Sequence, residues 1–162
     1  MVNKLHYDVK FQELIPQGTV LTAGVDSGNS NALVTGANRI AILYTWLEAS
    51  AAKPHTITVY KTNAAADGDV AIPFNYCEIN EATGAYGTWA TATTAGVAIA
   101  KVGSASRMIL IEVDPHELTP TDDFATPLEY LGTNIADDDS ESGVLTGGAT
   151  MILYGLKYQN ED

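Results

Sequence analysis

Apolar and polar residues alternate along this chain with a period of two. Leu5, Tyr7, Val9 and Phe11 alternate with His6, Asp8, Lys10 and Gln12, the pattern of a half-buried strand. Gly18–Thr22 predicts a short second strand, and Gly24–Asn31 a polar loop of turn-tolerant residues. Arg39–Leu47 is apolar on both faces, as expected of an interior strand. Thr56–Thr62 alternates again, and Ala64–Asp69 supplies a turn before a strand over Val70–Ile79. Pro73 demotes that strand to an edge or bulged one, because proline has no N–H to give to the ladder. Asn80–Gly87 is a further loop, followed by low-volume strands at Thr88–Thr94 and Val97–Ala100.

Arg107–Leu118 is the most pronounced segment. Its run Met108–Val113 is Ile/Val-rich, interrupted only by Glu112, and closed by Asp114-Pro115, so it predicts a fully buried central strand. Asp114 can cap a single helical turn at Pro115–Leu118, since proline suits the first helical position. A strand at Leu128–Ile135, an acidic loop at Asp137–Ser142 and a closing strand within Thr146–Tyr158 complete the chain. About nine short strands separated by Gly, Asn, Asp and Pro turns, with no sustained helical stripe, predict one all-β domain. The expected architecture is an antiparallel, jelly-roll-like β-sandwich over residues 1–162. The first strand, within residues 1–15, can alternatively be an arm that adds to a partner's sheet edge.

Composition narrows the function classes. The 162 residues carry a net charge of −12. Residues 1–101 hold 8 acidic and 6 basic side chains, and residues 102–162 hold 12 and 2. Such a charge repels nucleic-acid phosphates and anionic membranes, so neither is an expected partner. No apolar run approaches the roughly 20 residues that span a bilayer. The N-terminal residues lack an apolar signal core, which predicts synthesis and use without Sec export. Cys77 is the only cysteine, so no intrachain disulfide forms; an inert, half-buried thiol is expected, compatible with a reducing compartment.

Candidate chemistry is sparse. His6, His55 and His116 share no metal-ligand spacing; His6 reads as a surface residue and His116 as part of the capped turn. Asp137-Asp138-Asp139 with Glu141 is the densest acidic cluster. A Ca²⁺ loop at 137–141 is the functional alternative to a solvated acidic loop, but the D-x-D-x-D-G arrangement is missing. Asp67-Gly68-Asp69 reads as a hairpin turn. Glu112 in a central strand calls for a partner such as Arg39 or Arg107, or for an exposed face; the functional alternative is an acid in a cleft. Tyr44, Trp46, Tyr60, Tyr76, Tyr86, Trp89 and Tyr154 can form a sugar-binding face, although strand aromatics more often belong to cores or interfaces. No phosphate loop, G-x-S-x-G elbow or Ser/His/Asp context occurs. No catalytic, cofactor-binding or metal-binding residue is assigned, and the chain is expected to be non-enzymatic.

A series of segments in fixed order carries a family resemblance. It runs through Thr56-Ile57-Thr58-Val59-Tyr60, then Ala71-Ile72-Pro73-Phe74-Asn75-Tyr76 after a Gly-Asp turn. Tyr86-Gly87-Thr88-Trp89 follows, then Met108–Leu118 and Leu153–Gln159. Over residues 38–159 the chain resembles small structural proteins of tailed-bacteriophage virions, in particular head decoration or auxiliary capsid proteins. The resemblance implies a β-sandwich, assembled in the host cytoplasm, that docks on the capsid lattice and stiffens the head by bridging capsid subunits. It implies the major capsid protein or another virion protein as partner, a homo-oligomeric or lattice-bound copy, and no cofactor. A head–tail neck or tail location, or a carbohydrate-binding module, are the alternatives.

Overall fold

The computed structural model describes residues 9–21, 25–26, 32–34, 37–47, 55–62, 69–80, 82–99, 106–118, 130–137 and 146–155. Twelve strands among them form two antiparallel sheets packed face to face. In the first sheet the order is β1 (Val9–Val20), β12 (Thr146–Tyr154), β4 (Arg39–Leu47), β10 (Ser106–Val113), β7 (Phe74–Ile79) and β8 (Ala90–Ala92). The second sheet is built on β11 (Tyr130–Asp137) and β5 (His55–Thr62). The short β2 (Val25–Asp26) and β3 (Ala32–Leu33) pair with the free side of β11. β6 (Val70–Ala71) and β9 (Val97–Ile99) pair with the free side of β5. The fold is an all-β sandwich, as the period-two pattern predicts.

With β6, β7 and β8 set aside, the connectivity alternates between sheets. Taking β2 with β3 as one interrupted strand, β1, β4, β10 and β12 belong to one sheet and β2/β3, β5, β9 and β11 to the other. First and last strands lie side by side, the pairing order of a jelly roll, and β7 and β8 widen the first sheet beyond it.

One core cluster fills the space between the sheets. Ile42 and Tyr44 of β4, Ile109 and Ile111 of β10, and Met151 and Leu153 of β12 meet Ile57, Val59, Leu131 and Ile135 from the second sheet. Volumes alternate across the β4–β12 ladder: Tyr44 faces Ala149, and Trp46 faces Gly147. Gly147 has no room for a side chain. A Cβ there would overlap the Thr45 carbonyl oxygen and lie 2.7 Å from Trp46 Cβ.

Several sequence expectations are revised. Residues 9–20 form one strand rather than two, because bulges let it run through Pro16. Glu13 faces Thr150 but Ile15 faces Ala149, so Leu14 is an extra residue, and consecutive Leu14 and Ile15 both turn inward. Residues 9–15 pair with this chain's own β12; residues 1–8, with Leu5, His6 and Tyr7, lie outside the described residues. The polar loop at 24–31 includes β2, which joins Asn134 and Ile135. The expected strand 70–79 divides at Ile72-Pro73, where the chain leaves the second sheet for the first.

The most consequential revision concerns β10. It is central, between β4 and β7, but it is not fully buried: Ile109, Ile111 and Val113 enter the core, whereas Met108, Leu110 and Glu112 are only half-buried. They point away from the second sheet, onto the outside of the sandwich.

Candidate functional site

Strand register decides where each chemically interesting residue goes. Glu112 lies opposite Ala41 and Asn75 on the outward side of the first sheet. Arg39, at the start of β4, donates from Nη2 to Glu112 Oε1 at 2.6 Å, so of the two expected partners Arg39 is the one that binds it. Arg107 instead pairs with Glu78. The Arg39–Glu112 pair is solvent-accessible and contributes no more than about 1 kcal/mol. It borders a cleft of about 210 Å³ also lined by Asn75, Asp114 and Pro115.

Asp114 has a structural task. Its Oδ1 accepts the His116 backbone N–H at 2.9 Å and its carbonyl accepts the Glu117 N–H at 3.0 Å, closing the 3-10 turn Pro115–Leu118. The expected capped turn is therefore present. Lys61, buried in β5, ties this turn to the second sheet by donating from Nζ to the Glu117 carbonyl at 2.9 Å.

The remaining candidates separate. His116 is exposed on the turn, and His55 is 1% exposed inside the sandwich. The His55 ring meets Trp46 edge-on, with centroids 4.8 Å apart and planes at 81°, a contact between the two sheets. No local signal marks that pair in the sequence, because its members belong to different sheets. Asp137 ends β11; residues 138–141 of the acidic cluster lie outside the described residues. Among the described residues, no group of three or more His, Cys, Asp or Glu side chains gathers where a metal ion could sit.

The aromatic set also divides. Tyr44, Trp46 and Tyr60 are buried, which removes them from any sugar-binding face. Tyr86 (63% exposed) and Trp89 (44% exposed) lie on the outside, beside β7 and before β8.

Cys77 is fully buried, although it sits on the outward face of β7 opposite Leu110, sunk between larger neighbours. Burial, and secondarily the Glu112 charge, push its thiol above its ordinary value of 9.0. The native thiol is therefore expected to react with a disulfide reagent at pH 8 at least about 100-fold more slowly than the thiol of the urea-unfolded chain. Thiol ionisation also lowers stability only on the alkaline side. Below 9.0 both states hold the proton; above it the unfolded chain ionises first and the fold is weakened as pH rises. Kinetic thiol titration checks the first expectation, and urea denaturation across pH 7–10 checks the second.

What the described residues do bring together is an apolar exterior. Directly opposed residues share a face, so Phe11 stands beside Ile152, Leu43 beside Leu110, and Met108 beside Ile79. All six are half-buried or exposed, Phe11 by 67%, and none belongs to the core cluster. An antiparallel sheet with one solvated face ordinarily alternates apolar-in and polar-out. In the centre of this sheet the outward positions Leu43, Met108, Leu110 and Ile152 are apolar as well, with Thr45 and Thr150 among them. The arrangement offers a surface suited to adhesion. Comparison with known protein families, curated proteins and solved structures finds no match for this chain.

Proposed function

We propose that the chain is a non-enzymatic structural protein of a tailed-bacteriophage virion, a capsid decoration (cement) protein that stabilises the head by bridging capsid subunits. The observation that carries this reading is the apolar exterior of the first sheet. β4 and β10 carry Leu43, Leu47, Met108 and Leu110 on the side that the second sheet does not cover, alongside Thr45 and the Arg39–Glu112 pair. Exposed contiguous apolar area on a folded domain marks a surface that is covered in use. The family resemblance supplies the setting, and jelly rolls recur in viral capsids. The mechanism is interface burial: apolar area removed from water at each contact opposes separation of the joined subunits, with no bond chemistry. A neck or tail position uses the same physics, and localisation in the particle distinguishes it.

Density-gradient purification of particles from the producing cells tests the reading. The chain is expected to co-purify with DNA-filled heads in a fixed ratio to the major capsid protein. Its absence from heads, necks and tails alike overturns the proposal.

A second reading has one observation in its favour. Exposed Tyr86 and Trp89 can stack on sugar rings, and jelly rolls also serve as lectins, which supports a carbohydrate-binding module. Glycan-array binding that disappears in Trp89→Ala, with the fold intact, would support it over the capsid reading.

A further inference from the structure

The outward face of the first sheet has a definite shape, charge and size, and together these select an occupant. We propose that it docks on the same face of a second copy of the chain, giving a two-fold dimer in which two first sheets stack back to back. The inference rests on the reading of the chain as an interface-forming structural protein and deepens it: the contact closed by this face is the one between two copies, and each copy of the dimer meets a capsid subunit through its remaining surface.

Size comes first. Six strands about 4.8 Å apart, crossed by the nine residues of β4 at about 3.4 Å each, give a face of roughly 24 by 30 Å. That is about 700 Å², close to the roughly 800 Å² per partner of a stable interface. Composition comes second. The centre, from Leu43 and Leu110 to Met108 and Ile152, is uncharged, and aliphatic side chains on two sheets interdigitate at the roughly 10 Å spacing of stacked sheets.

Charge comes third, and it chooses the partner. The chain carries −12, so two copies repel over most approaches. This face carries little charge: Glu112 at one corner is held by Arg39, and Glu13 stands at the β1 edge, while Lys10, opposite core residue Leu153, lies on the inward side. Two acidic copies therefore meet here at the least electrostatic cost, whereas a basic partner would find little charge to recognise. A face with an uncharged, mostly aliphatic centre and its charges at the margin can meet its own two-fold copy without burying an unpaired charge at the centre.

Sedimentation equilibrium of the full chain over 1–50 µM tests the proposal. The wild type is expected at twice 17.1 kDa, and Leu110→Lys at 17.1 kDa with an unchanged circular-dichroism spectrum. The dimer dissociation constant should rise at least about 30-fold, as for a central contact residue. Ile152→Lys provides a second variant if Leu110→Lys fails to fold. Hydroxyl-radical labelling of the wild type needs no variant: Met108 should be protected in the dimer and labelled on dilution, with Met151 of the core protected throughout. A wild type that stays monomeric, a dimer that survives both substitutions, or Met108 labelling independent of concentration each overturns the proposal. A monomer that still co-purifies with heads overturns the dimer alone and leaves the virion reading standing.

Discussion

Trp46→Ala is expected to lower the unfolding free energy by about 4 kcal/mol, the range seen when a buried tryptophan is truncated. Trp46 is 4% exposed on central strand β4 and holds the edge-to-face contact with His55 across the two sheets. Truncation removes the largest side chain at that end of the core and strips His55 of this ring contact. The surroundings cannot close the gap readily, because β4 is fixed on both sides by β10 and β12. Trp89→Ala, at a 44% exposed site, should change stability by less than about 0.5 kcal/mol. Urea denaturation followed by far-ultraviolet circular dichroism measures both. Equal effects would mean that the two tryptophans are not divided between core and surface.

Gly147→Ala is the second large effect, about 3 kcal/mol, and it comes from adding one methyl group. The new Cβ would overlap the Thr45 carbonyl oxygen and approach Trp46 Cβ to 2.7 Å. Both obstacles sit on a central strand, and one is backbone, so no rotamer change relieves the contact. Shrinking the facing side chain does not rescue it either: the double variant Trp46→Ala/Gly147→Ala should be no more stable than Trp46→Ala alone. Gly84→Ala is the contrasting case. Gly84 has a φ of +69°, and a methyl group there would meet nothing within 4 Å, so its cost is the backbone strain of about 1 kcal/mol. The same denaturation experiment ranks the three.

Much of this architecture is legible in the residues. Period-two alternation locates β5 and β7, short apolar runs locate β4 and β10, and the Asp-Pro pair locates the capped turn after β10. Pro73 marks the point where the chain changes sheets. The bulges of β1 are not legible, because Pro16 and Gly18 read as a strand boundary and only the pairing with β12 carries the strand through them. The Trp46–Gly147 contact joins residues distant in sequence and the Trp46–His55 contact joins consecutive strands of different sheets, and local periodicity holds no information about either. Glu112 reads as needing a partner or an exposed face, and register supplies both.

The apolar exterior is half legible. Periodicity reveals that β4 and β10 are apolar on two sides, but a side buried against the chain's own core and a side reserved for another molecule leave the same pattern. Only the three-dimensional arrangement distinguishes Ile109 and Ile111, in the core, from Met108 and Leu110, outside it. That distinction turns an expected interior strand into the middle of an adhesive surface.

Co-sedimentation of the purified chain with expanded and unexpanded tailed-phage heads, taken from the particles it is proposed to coat, tests the proposed capsid role most directly. The expected result is saturable binding to expanded heads at a fixed number of copies per capsid subunit, with heads that resist heat or pressure better when coated. A chain that leaves both kinds of head bare, and leaves their stability unchanged, contradicts it.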